Sequence, residues 1–94
     1  MSKVIVAGHI ITKRGCRDDF VAGSRDTMVA ARNTPGCTDF VVTADPLEAD
    51  RVHIFEAWDD ETYLKKFRGD GPGDELSRLI ERADVGTFNV LSNK

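Results

Sequence analysis

The sequence predicts an α+β domain in which one four-stranded antiparallel sheet carries helices on a single face. Three observations lead to this. The hydrophobic period switches along the chain in the order strand, helix, strand, strand, helix, strand. Residues 35–58 hold two β-branched, aromatic-rich runs around the polar bend Ala44-Asp45-Pro46-Leu47-Glu48-Ala49-Asp50, which reads as a hairpin. The opening run Val4–Thr12 is apolar at both parities, so both of its faces need cover.

That opening run is the first strand, and Lys13-Arg14-Gly15 is a turn. A helix follows from Cys16 to about Asn33, with Asp18 and Asp19 near its start, where the helix dipole favours acids. Phe20, Ser24, Thr27, Met28 and Ala31 form its inward stripe, with Val21 beside it. Pro35-Gly36 punctuates the entry to the hairpin, because proline fixes φ and glycine accepts the reversed φ of a tight turn. The second hairpin strand, Arg51–Trp58, places Val52, Ile54, Glu56 and Trp58 on one face and His53, Phe55 and Ala57 on the other. Asp59 is the expected N-cap of a helix carrying Tyr63, Leu64 and Phe67, which the breaker cluster Gly69-Asp70-Gly71-Pro72-Gly73 must end. Asp74 is expected to cap a short third helix with Leu76, Leu79, Ile80 and Ala83 inward. The last strand is then Asp84–Leu91, and Ser92-Asn93-Lys94 is a tail.

This order is the split β-α-β pattern of ferredoxin-like domains, with the first strand central between the third and fourth. Helices cover one face only, so the apolar opposite face calls for a partner. A second copy of the same sheet, forming a homodimer, is the simplest one. The 94 residues make a single domain over residues 1–94 that buries roughly two-thirds of its unfolded surface, so pairing would also enlarge a modest core. A net charge of −3 argues against nucleic acid, which wants a basic face. The longest apolar run is too short to cross a membrane, and the N-terminus shows no signal-peptide pattern. Cys16 and Cys37 make neither a redox pair nor a zinc pattern. A cytoplasmic protein with two reduced thiols is expected.

Several stretches together resemble the antibiotic biosynthesis monooxygenase domain family of the dimeric α/β-barrel superfamily. They are the Lys13-Arg14-Gly15 turn followed by acids and Phe20, then Ala31-Arg32-Asn33-Thr34-Pro35-Gly36-Cys37, then Asp45-Pro46, and most strongly Phe55-Glu56-Ala57-Trp58-Asp59-Asp60 with Tyr63-Leu64 behind. The resemblance covers residues 3–91. It implies a small oxygenase that oxidises a small aromatic or quinol-like substrate with O2 and needs no flavin, haem or metal. An electron-rich phenolate or enolate can itself reduce dioxygen, provided the protein binds it, favours its anion and excludes water. By the same resemblance Trp58 lines the pocket. The polar residue that some of these enzymes place four positions earlier is Ile54 here, which removes one hydrogen bond to substrate. Haem-degrading relatives carry a strand-one asparagine and an axial histidine after the tryptophan. This chain has Gly8 at the first place and no histidine after His53, which argues against haem degradation.

The expected site therefore takes Trp58 and Glu56 as catalytic residues, and Trp58, Tyr63, Phe67, Ile54 and Arg78 as substrate-binding residues. Trp58 could equally be a core filler. Glu56 shares the Trp58 face and, being buried, needs a partner. Arg78 or Arg82 on the third helix is expected to supply it in a structural ion pair, the alternative role being that of a base. His9 and His53 face away from the helices, as interface histidines or proton carriers without a carboxylate partner. The glycine-rich segment 69–73 is either a lid or a plain connector. No glycine-rich phosphate loop or paired metal ligands occur, so no cofactor or metal is expected. The alternative to an oxygenase is a non-catalytic dimeric ligand-binding module of the same fold, which Ile54 favours.

Overall fold

The computed structural model describes residues 2–69 and 74–91. The elements are β1 (Val4–Thr12), α1 (Arg17–Gly23), α2 (Arg25–Arg32), β2 (Cys37–Ala44), β3 (Arg51–Trp58), α3 (Glu61–Arg68), α4 (Asp74–Ser77) and β4 (Ile80–Asn89). The strands form one antiparallel sheet in the order β2-β3-β1-β4, the ferredoxin-like arrangement with β1 and β3 central. No helix among the described residues is long and apolar enough to cross a membrane.

Alternation fixes which face is which. Val4, Val6 and Ile10 of β1, Phe40 and Val42 of β2, and Val52 and Trp58 of β3 are buried, and they meet Phe20 of α1, Ala31 of α2 and Leu64 of α3 in one core. Their register partners confirm the shared face: Val4 lies opposite Trp58, Val6 opposite Glu56 and Ile10 opposite Val52. The other face of the same rows presents Ile5, Ala7, His9 and Ile11, which are only half-buried, and Phe55 and Phe88, which are 39% and 56% exposed.

Three element boundaries differ from the sequence expectation. The first helix is two helices, interrupted at Ser24. The Ser24 hydroxyl donates 2.8 Å to the Phe20 carbonyl, and its backbone N–H is shared between the Phe20 and Val21 carbonyls, both at 3.1 Å. A serine bonding back one turn loosens the ladder. Beside it, the Leu76 side chain packs so closely on Gly23 that a Cβ there would lie 2.6 Å from the leucine Cδ2. Ser24 is buried as expected, but Thr27 points to solvent. At α3 the cap is Asp60, not Asp59: the Asp60 carboxylate accepts from the Thr62 backbone N–H at 3.1 Å. The Asp59 N–H donates instead to the Gly36 carbonyl, at 2.7 Å.

The largest difference lies near the C-terminus. The third helix is only the four residues of α4, and the segment expected to extend it enters the sheet, with Ile80 opposite Thr12, Arg82 opposite Ile11 and Ala83 opposite Ile10. A short helix gains little by itself, whereas β1 offers an unpaired edge along its full length. The sheet wins, with an irregularity between Ile11 and Thr12 absorbing the change of register. Leu76, Leu79 and Ile80 still pack on the core, but Ala83 is exposed. The expected breaker residues 70–73, the Asp74 cap side chain and the tail 92–94 lie outside the described residues.

Candidate functional site

The site grows from the end of β3. Because Trp58 closes that strand on the helix-facing parity, α3 folds directly over it. The indole is fully buried, and its ring lies 5.4 Å from that of Phe67, tilted by 38°. Phe67 also meets Phe40 of β2 edge-on, with centroids 5.8 Å apart at 65°. Edge-on and tilted contacts match the quadrupoles of aromatic rings better than a face-to-face sandwich. Phe67 is thus the joint between the inner tryptophan and the outside of α3.

Behind the indole stands Glu56, 7% exposed. Trp58 Nε1 donates to Glu56 Oε1 at 3.0 Å, and Arg68 Nη2 approaches Glu56 Oε2 at 3.8 Å. Glu56 and Trp58 are two apart on one strand and so lie side by side on the same face, which lets the carboxylate satisfy the indole N–H. Burial pushes the Glu56 carboxyl above its ordinary pKa of 4.5, while the indole N–H and the Arg68 guanidinium pull it back. The sequence expectation of a buried, paired Glu56 holds, but its partner is Arg68 from the end of α3. Arg78 lies in the exposed turn before β4, and Arg82 is exposed on β4. The reason is the shortening of the third helix, which removes the face that was to present them.

On the outer side of Phe67 is a cleft of about 440 Å³, lined by Thr34, Pro35, Thr62, Tyr63, Lys66 and Phe67. One wall is the turn between α2 and β2, and the other is α3. The two are drawn together at Gly36, which has φ +88 and carries the Tyr63 ring on its Cα. A Cβ there would lie 2.2 Å from the tyrosine Cγ. Only glycine fits both the reversed backbone and the ring stacked against it. The turn is further braced by Thr34, whose hydroxyl donates 2.7 Å to the Ala30 carbonyl.

Of the expected site residues, Tyr63 and Phe67 line this cleft. Trp58 and Glu56 form a second layer reached through Phe67. Ile54 packs against the core on the helix-facing side and is absent from the lining, as is Arg78. Lys66, Thr34 and Pro35 are not among the expected site residues, Pro35 being expected only to open the hairpin. Lys66 was the legible one, since its position one turn after Thr62 and beside Phe67 follows from helical spacing alone.

The opposite face of the sheet holds the second polar group. His9 and His53 are direct register partners on β1 and β3, as their parity predicts. A carboxylate partner does exist, contrary to expectation: His53 Nε2 bonds Asp45 Oδ1. Asp45 also accepts from the backbone N–H groups of Leu47 and Glu48, at 2.8 and 2.7 Å. Led by the imidazole contact, these bonds hold its carboxyl at about 2, against an ordinary 3.8. Asp45 sits just past the last β2–β3 pair, Ala44 with Val52, so the hairpin itself brings acid and imidazole together. Among the described residues no three His, Cys, Asp or Glu side chains converge so as to hold a metal ion. Both cysteines are free, and burial pushes the Cys37 thiol up.

The antibiotic biosynthesis monooxygenase family pattern matches residues 3–71, well over half of the chain. The protein belongs to that family. No curated protein is detectably similar in sequence. Solved structures resemble it in fold. A Shewanella oneidensis protein superposes with a TM-score of 0.84 at 16% identity, covering 95% of this chain and 91% of that one. A candidate antibiotic biosynthesis monooxygenase from Chloroflexus aurantiacus gives 0.74 at 21%, covering 99% and 97%. Another from Deinococcus radiodurans gives 0.71 at 21%, covering 97% and 95%. At such identities the likeness is one of fold.

Proposed function

We propose that this protein is a cofactor-independent monooxygenase of the cytoplasm, working as a homodimer, that oxidises a small aromatic or quinol-like substrate with O2. The observation that carries the reading, beside family membership, is the aromatic continuity from the Tyr63 cleft through Phe67 to the buried Trp58–Glu56 pair. The cleft lies within the roughly 300–1,000 Å³ typical of small-molecule sites. In this mechanism the ring of an anthrone-type substrate rests against Tyr63 and Phe67 as its enolate. The enolate gives an electron to O2, and the resulting radical pair combines to a peroxide anion at the reacting carbon, which takes up the proton lost on enolisation to become a hydroperoxide. Loss of water leaves a carbonyl: one oxygen atom stays in the product, and the other departs with two hydrogens from the substrate. Trp58 and Glu56 act here by positioning Phe67 and by keeping that side of the site dry.

The test is oxygen uptake with a panel of hydroquinones and anthrones and no added flavin, using isotopically heavy dioxygen to trace one atom into product. Uptake is expected with at least one member of the panel, and Trp58→Phe, which loosens the stack on Phe67, is expected to lower it about tenfold or more while the fold persists. Saturable binding of the same compounds without uptake would replace this reading by that of a dimeric binding module. Two observations favour that second reading: Ile54 stands in place of a polar group, and the indole is completely covered.

A further inference from the structure

We infer that the Tyr63 cleft selects planar aromatic anions over neutral aromatics of the same shape, with Lys66 as the selecting charge. This deepens the reading above and rests on the same cleft. The helix α3 carries the cations Lys65, Lys66 and Arg68. Lys65 is paired one turn back with Glu61 at 3.3 Å, and Arg68 with Glu56 at 3.8 Å. Lys66 has no acidic partner among the described residues, and it is the one of the three that lines the cleft. Its neighbours there are the rings of Tyr63 and Phe67, the Pro35 ring and the threonines 34 and 62. The Thr34 hydroxyl proton is already committed to the Ala30 carbonyl, and among the described residues no carboxylate lines the cleft. Apolar ring faces with one ammonium that no described acid neutralises suit a flat hydrocarbon ring bearing a carboxylate or phenolate at one edge. A lysine stem can lie on apolar surface while its ammonium stays in water, which suits a lining that places Lys66 beside Phe67. Tyr63 is held in place by its seat on Gly36, so the ring wall against which the ligand stacks is fixed before binding.

The experiment is calorimetric titration of the full-length protein with 1-naphthoate and with its neutral isostere 1-naphthamide, at low and high salt. Naphthoate is expected to bind about fivefold more tightly than naphthamide at low salt, the size set by a solvent-accessible charge pair. The gap should shrink in high salt, where such pairs are screened. It should vanish in Lys66→Met and persist in Lys66→Arg, with circular dichroism confirming that both variants fold. Tyr63→Leu should weaken both ligands alike. Equal affinity for the two ligands in the wild type, a gap that survives Lys66→Met, or failure of both ligands to bind would each overturn the inference. Oxygen uptake is a separate readout. A charge-dependent gap without uptake by any quinol would sink the oxygenase reading and leave this inference standing. Uptake at an unchanged rate and KM in Lys66→Met, with no gap between the ligands, would do the reverse.

Discussion

Glu56 shows how one side chain serves two neighbours at some cost to itself. Its carboxylate satisfies the buried indole N–H and faces Arg68, yet burial raises its pKa above the ordinary 4.5. A carboxyl whose folded pKa is raised favours folding most while it is protonated, and that contribution is lost as pH rises through the folded value. Glu56→Gln keeps an acceptor for Trp58 and removes the charge. Its stability by chemical denaturation should therefore gain on the wild type as pH climbs from about 4 to about 8. If the variant instead loses ground over that range, attraction to Arg68 outweighs burial. The sequence made Glu56 legible as buried and paired because its parity matched that of Trp58. The identity of the partner was hidden, because it depended on where the chain leaves helix for strand after residue 77.

At the level of elements, the hairpin was the clearest feature of the sequence, and the structure gives its bend a chemistry. Asp45 organises the bend by accepting two backbone N–H groups and the His53 imidazole, while Arg17 donates to the Asp45 and Glu48 carbonyls, both at 3.2 Å. Its carboxyl, held at about 2, makes a contribution that is whole above the ordinary 3.8 and is lost as pH falls through that interval. Asp45→Asn should consequently lower stability at neutral pH, yet flatten the loss between about pH 4 and pH 2, as followed by acid titration of the circular dichroism signal. A variant that keeps the wild-type acid slope would show that another carboxylate governs it. Two elements depart from what local spacing predicts. Residues 80–83 continue a helix-like pattern, and pairing with the vacant edge of β1 turns them into strand. The break at Ser24 depends on a hydroxyl choosing a carbonyl one turn back, which spacing does not reveal.

For the whole molecule, the open question is what covers the second face of the sheet. Ile5, Ala7 and Ile11 on β1, Phe55 on β3, Val41 on β2 and Phe88 on β4 share it by register, and the helices all lie on the other side. Phe55 and Phe88 remain 39% and 56% exposed on this face, whereas monomeric proteins rarely expose large contiguous apolar patches. Pairing two such faces by a two-fold axis would cover both copies at once. The polar row of Thr43, His53, His9 and Asp84 crosses the same face from edge to edge, each residue opposite the next. In a face-to-face dimer that row would fix the rotation of one sheet on the other, because imidazoles and carboxylates must find partners when they leave water. We expect a compact dimer in sedimentation at low micromolar concentration. Phe55→Glu should dissociate it while leaving the far-ultraviolet circular dichroism of the folded chain intact, since Phe55 takes no part in the helix-side core. A wild-type protein that sediments as a monomer at that concentration, or a Phe55→Glu variant that remains dimeric, would show that the pairing uses some other surface. The cleft beside Tyr63 lies on the helix side, so dissociating the dimer in this way would also show whether ligand binding there needs the second copy.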